Sequence, residues 1–159
     1  MIRNAVIVVG LFVAVLFSQP LLAQNAEDWR TAAEQGNAEA QYKLGLCYAF
    51  GKGVAQDKAE GAKWLRKAAE QGNADAQFSL GIFYYRGIGV EQDTAEYVKW
   101  IRKAAEQGNA EAQCELGACY ANGKGIAQDD IEALKWLQKS AEQGYERAKA
   151  LIAQMRNRG

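Results

Sequence analysis

Apolar residues along this chain follow two different patterns. From Ala5 to Phe17 they form one nearly unbroken stretch of 13 positions. Beyond residue 24 they recur at intervals of three and four, the spacing that puts side chains on one face of an α-helix, and nowhere alternate as a half-buried strand would. In residues 36–71 one stripe holds Ala40, Leu44 and Tyr48, and a second holds Trp64, Leu65 and Ala68. The pattern predicts two helices there. The first opens at Asn37, a residue type whose side chain accepts a free backbone N–H, and stops at Gly51, where a left-handed conformation is cheap. Gly51-Lys52-Gly53-Val54 turns the chain. The second opens at Asp57 with Glu60 three residues on, the signature of a capping box, exposes Lys63, Arg66 and Lys67, and ends at Gly72.

The same pattern returns twice. Gly36, Gly72, Gly108 and Gly144 are spaced by 36 residues, as are Trp64, Trp100 and Trp136. Residues 36–71, 72–107 and 108–143 form three units, and 19 of 36 positions are identical in all three. One such unit cannot bury its own apolar face, so units must stack and share a core. Residues 24–35 match the second half of a unit and residues 144–159 begin a fourth, so both ends are expected to act as caps. Eight helices are expected, stacked as an all-α solenoid. The identical placement of Trp64, Trp100 and Trp136 beside Leu65, Ile101 and Leu137 assigns them to the core between helices.

The N-terminal stretch differs in kind. Residues 1–23 combine Arg3, the apolar run and a polar break at Ser18-Gln19-Pro20, as a secretory signal peptide does. At about 20 Å as a helix the run is short of the roughly 30 Å hydrocarbon core of a bilayer. Export is therefore expected, with cleavage after Ala23 and no stable membrane anchor afterwards; retention as an uncleaved anchor is the alternative.

Composition narrows the chemistry. Lys and Arg number 19 against 19 Asp and Glu, and histidine is absent. A balanced charge without long like-charged runs argues against nucleic acid as a partner. Without histidine there is no Ser-His-Asp triad and no mixed Cys/His zinc site. The glycine pairs 51/53, 87/89 and 123/125 follow helices and lack a Gly-Lys-Ser/Thr ending, so they are turns and not phosphate loops. No Ser-x-x-Lys or Gly-x-Ser-x-Gly occurs. Cys114 and Cys119, five apart on one helix, point about 140° apart and lie about 8 Å apart along the axis, too far to bridge. Cys47 and Cys119 are separated by a whole unit. Three free, mostly buried thiols are expected, with no cofactor, no metal and no catalytic residue.

The pattern Gly-Asn-Ala-x-Ala-Gln-x-x-Leu-Gly-x-x-Tyr-x-x-Gly-x-Gly-Val/Ile-x-Gln-Asp-x-x-Glu-x-x-Lys-Trp, closing with Lys-x-Ala-Glu-Gln, resembles the Sel-1-like repeat, a relative of the tetratricopeptide repeat. The resemblance covers residues 36–143 and part of each flank. It implies a right-handed, tetratricopeptide-like α/α superhelix (solenoid) of antiparallel helix pairs serving as a non-enzymatic scaffold for a protein or peptide partner, and for exported bacterial members a place in the periplasm or outside the cell. Some secreted relatives carry two bridged cysteines per unit, and a few of these bind or slowly hydrolyse β-lactams; the cysteines here depart from that pattern. A neutralising partner of a toxin or effector is a further role that the sequence permits without indicating it.

Positions that vary among units are free to carry recognition. On the first helices these are Glu39, Tyr42, Lys43, Leu46 and Phe50; Asp75, Phe78, Ser79, Ile82 and Arg86; and Glu111, Cys114, Glu115, Ala118 and Asn122. In tetratricopeptide-like arrays the first helices line the concave surface, so by resemblance these residues border a groove about 30 Å long. Its expected character is aromatic toward the first unit and acidic toward the third, suited to an extended peptide or a helix. Simple packing of Tyr42, Leu46, Phe78 and Ile82 against neighbouring helices is the other reading of the same residues.

Overall fold

The computed structural model describes residues 21–157. Eight helices follow one another: α1 (Leu21–Glu34), α2 (Ala38–Phe50), α3 (Lys58–Glu70), α4 (Ala74–Arg86), α5 (Thr94–Glu106), α6 (Ala110–Asn122), α7 (Asp130–Glu142) and α8 (Glu146–Arg156). Each packs on its sequence neighbours, so the array grows in one direction. The expected signal peptide lies outside the described residues, apart from Leu21–Ala23, which open α1.

Local chemistry sets the boundaries. Asn37, Asn73 and Asn109 each accept the N–H three residues on, at 2.8 Å. Gly51, Gly87 and Gly123 close the first helices with φ near +65°. Asp57, Asp93 and Asp129 cap the second helices. The capping box is only half made. Glu60, Glu96 and Glu132 do not return to the backbone; each pairs with the lysine three residues on. A positive charge one turn away satisfies the carboxylate better than a solvent-exposed N–H. Each second helix ends at a glutamine cap, and the glycine after it, with φ near +90°, swings the chain into the next cap residue, Asn73 after α3, Asn109 after α5 and Tyr145 after α7.

Leu44, Leu65, Leu80, Ile101, Leu116 and Leu137 are wholly buried between the helices of their pairs. The tryptophans join them to different degrees: Trp100 is 3% exposed, Trp136 8%, and Trp64 half-buried. Pairs approach closely because each first helix carries a glycine at Gly45, Gly81 or Gly117, where a Cβ would collide with the side chain of Leu65, Ile101 or Leu137.

Units are joined by a repeated polar seam. Gln41 Nε2 donates to the Ala33 carbonyl at 3.0 Å, and its Oε1 accepts from Gln71 Nε2 at 2.6 Å. Gln77 and Gln113 repeat this with Gln107 and Gln143. A second link runs from Arg30, Arg66 and Arg102 to the hydroxyls of Tyr48, Tyr84 and Tyr120. Arg66, expected to be solvent-facing, is half-buried by that bond. In the last unit Gln138 replaces the arginine and Arg156 replaces the tyrosine, so both partners change together.

Candidate functional site

The variable first-helix residues are brought together in two depressions. The first, about 400 Å³, spans three successive units: Tyr42 from α2, Asp75, Phe78 and Ser79 from α4, and Glu111 with Asn109 and Ala110 at the start of α6. The second, about 360 Å³, takes Ile82 and Arg86 from α4 and Glu115, Ala118 and Asn122 from α6. Lys43, Leu46 and Phe50 line neither, Cys114 is wholly buried, and Phe50 is 54% exposed with the Lys52 ammonium 6.0 Å from its ring.

Tyr42, Leu46, Phe78 and Ile82 are half-buried and rest on the core. Packing and lining are therefore not alternatives for Tyr42, Phe78 and Ile82: their bodies support the stack, and their outer edges form pocket walls. Burial raises the Tyr42 phenol above its ordinary range, keeping it a neutral hydrogen-bonding group.

The charged members are less free than their spacing suggests. Glu39 pairs with Lys43 at 3.2 Å and accepts from Asn73 Nδ2 in the next unit, also at 3.2 Å. Lys43 in turn sits 4.3 Å from the centre of the Trp29 ring. Asp75 accepts from Asn109 at 3.0 Å. Tyr145 stands where the next asparagine would be, so this link is not repeated at Glu111, an exposed carboxylate at the pocket edge.

The expected acidic character toward the third unit is altered by two groups. Arg147 of α8 forms an ion pair with Glu115, and the Tyr97 hydroxyl of α5 donates to the other carboxylate oxygen at 2.9 Å. Burial, followed by the nearby Cys119 and Glu115, pushes the Tyr97 phenol far above its usual value, while the hydrogen bond to Glu115 raises that of Arg147. Arg147 therefore keeps its charge and Tyr97 stays neutral at any ordinary pH. Tyr85 completes the wall: its ring lies 5.1 Å from that of Tyr97 and carries the Lys124 ammonium 3.8 Å above it.

Tyr85, Tyr97, Cys119, Lys124 and Arg147 were not among the residues expected from the sequence to line the groove. The signal for the tyrosines was present: Tyr85 stands where the other units have Ala49 and Ala121, and Tyr97 where they have Gly61 and Ala133. Tyr97 lies on a second helix, at a position that varies among units as the first-helix positions do. Arg147 occupies the place of Glu39, Asp75 and Glu111, a charge reversal visible in the partial fourth unit.

Cys47, Cys114 and Cys119 are free thiols, as expected; Cys47 is half-buried and the other two buried. Burial pushes all three up, Cys114 to about 11, which makes them poor nucleophiles. Among the described residues no group of three or more Cys, Asp or Glu side chains is placed to hold a metal ion.

The family model for the Sel1 repeat matches three consecutive segments, 38–73, 74–109 and 110–145. The chain belongs to the Sel1 repeat family. The Sel1 repeat segments begin two residues after the glycine-to-glutamine units read from the sequence. Proteins of this family generally mediate interactions with other proteins. Among solved structures the chain is similar to c5321, a protective antigen of uropathogenic Escherichia coli with an SLR fold, at 44% identity and a TM-score of 0.84 over 87% of this chain. The aligned part is 30% of that antigen, which is much longer. A Sel1 repeat protein from Oxalobacter formigenes matches at 38% identity and a TM-score of 0.76, over 80% of this chain and 96% of its own. Cysteine rich protein B from Helicobacter pylori shares the fold at 22% identity and a TM-score of 0.64, over 79% of this chain and 96% of its own. A comparison with curated proteins found no match. No helix among the described residues is long and apolar enough to cross a membrane.

Proposed function

We propose that this Sel1 repeat protein is an exported, non-enzymatic adaptor that binds an extended segment of a partner protein across the faces of α2, α4 and α6. The observation that carries the reading is the division of labour within the repeat. Side chains common to all units, such as the Gln41, Gln77 and Gln113 series, hold the scaffold. Side chains that differ, such as Tyr42, Phe78 and Ser79, meet in a depression shared by three units. An extended chain crossing successive helices meets a new set of side chains in each unit, which is how repeat arrays obtain specificity from a uniform frame. Export rests on the charged, apolar and polar order of residues 1–23.

A photo-crosslinking residue in place of Ser79 should capture a partner, whereas the same residue at Ile131, 81% exposed and outside both depressions, should not. Combining Asp75→Lys with Glu111→Lys should remove the Ser79 crosslink while leaving thermal stability within a few degrees. Equal capture at both positions, or capture unaffected by charge reversal, refutes the interaction face. Processing is checked separately by the N-terminal sequence of material from the envelope or medium, expected to begin at Gln24.

A further inference from the structure

Arg86 and Lys124 face the 360 Å³ pocket together with the apolar surfaces of Ile82, Ala118 and Tyr85. Neither cation has an ion-pair partner among the described residues, whereas the one carboxylate in the lining, Glu115, is engaged by both Arg147 and Tyr97. The pocket therefore presents two uncompensated positive charges beside an apolar wall. We propose that it binds the free C-terminal carboxylate of a partner polypeptide whose last side chain is apolar; this rests on the peptide-binding reading above and names the end of the peptide that enters here.

The geometry favours that group for three reasons. A guanidinium offers a planar fork of N–H donors that matches a carboxylate, and Arg86, exposed at the last turn of α4, is unrestrained by any other acid. The Tyr85 ring attracts the Lys124 ammonium without accepting its hydrogen bonds in the usual way, so the donors stay available at a fixed position. Tyr97 and Cys119, both buried, line the pocket floor beside Ile82 and Ala118, an apolar surface that the last side chain of a partner would cover while its carboxylate meets the two cations. The Glu115–Arg147 pair also holds α8 against α6, so the wall is complete only when the terminal helix is in place.

The test uses the whole protein and three N-acetylated hexapeptides: alanine chains ending in Leu as the free acid, the same chain as the C-terminal amide, and an amidated chain with an internal Glu. Binding is read by NMR shifts at the Ile82 and Ala118 methyl groups, with Phe78 and Ser79 reporting on the other pocket. The free acid is expected to shift Ile82 and Ala118, with affinity reduced about tenfold or more by amidation and by either Arg86→Gln or Lys124→Gln, and reduced by added salt. Lys99→Gln, outside the pocket, should change nothing. Equal binding of acid and amide, preference for the internal Glu, or shifts confined to Phe78 and Ser79 overturn the terminal-carboxylate site and leave the peptide-binding reading standing. Absence of any shift at Ile82 and Ala118 also overturns it, while the broader reading is decided separately by the crosslinking at Ser79 and Ile131. The amide comparison needs no variant, so the result does not depend on how well the substituted proteins fold.

Discussion

Gln107 Nε2 donates to Gln77 Oε1 at 2.7 Å, joining residues 30 apart in the chain, while Gln77 Nε2 donates to the Ala69 carbonyl at 3.0 Å. One buried amide thus links the second helices on either side of its own helix. Gln77→Ala should lower unfolding free energy by about 1 to 3 kcal/mol in urea titration, because a buried carbonyl is left without its donor. A change below about 0.5 kcal/mol would mean that water replaces the amide at no net loss.

Gly61 invites a substitution that should fail. Its unit position holds Tyr97 and Ala133 elsewhere, and alanine is the better helix former by about 1 kcal/mol. A Cβ at Gly61, however, would lie 2.8 Å from the backbone N of Ala49 and from the Gly45 carbonyl oxygen. Backbone cannot rotate away as a side chain can. Overpacking of about 1 to 3 kcal/mol outweighs the propensity gain, so Gly61→Ala should lower the melting temperature instead of raising it.

Trp100 and Trp136 share a place in their units but differ in one bond. Trp100 Nε1 donates to Glu96 at 2.9 Å, whereas Trp136 Nε1 is buried without a partner among the described residues. Trp100→Ala should cost about 3 to 5 kcal/mol, enough to loosen both neighbouring units. Phenylalanine makes the finer comparison: Trp100→Phe should cost about 1 kcal/mol more than Trp136→Phe in parallel denaturant titrations, the net value of the extra hydrogen bond.

The buried thiols make the fold sensitive to alkali. The Cys114 thiol is held at about 11 in the folded protein against 9.0 when unfolded. Between those values the unfolded chain has released a proton that the folded chain keeps, so stability is intact below pH 9 and falls as pH rises toward 11. Cys114→Ala should flatten that fall, measured as melting temperature across the range. A thiol-reactive disulfide reagent near pH 8 should modify half-buried Cys47 first, and all three thiols in denaturant without reductant.

Much of the architecture was legible because its determinants are local and repeated. The glycines at 36-residue spacing, the asparagine and aspartate caps and the inward leucines act within a few residues of themselves, so sequence spacing is enough to place them. The misreadings share an opposite cause. The Asp57/Glu60 spacing points Glu60 at the backbone because a capping box is local, but Lys63 competes for the same carboxylate. The third unit reads as acidic from spacing alone because the partner of Glu115, Arg147, lies 32 residues away on α8, outside the three full units. Within the pocket that holds them, Tyr85 and Tyr97 depart from small residues elsewhere in the repeat, so departure from the repeat, and not agreement with it, marked the distinctive surface.

The glutamine seam also bears on how such a chain can change length. Each amide engages only the units on either side, and the arginine-to-tyrosine link likewise passes from one unit to the next. Duplicating residues 36–71 or 72–107 in frame would recreate the glutamine and arginine–tyrosine links at the new junctions, leaving the existing helices their neighbours in kind. Growth by whole modules is therefore nearly neutral for folding, while gain or loss of any other number of residues throws the seam out of step.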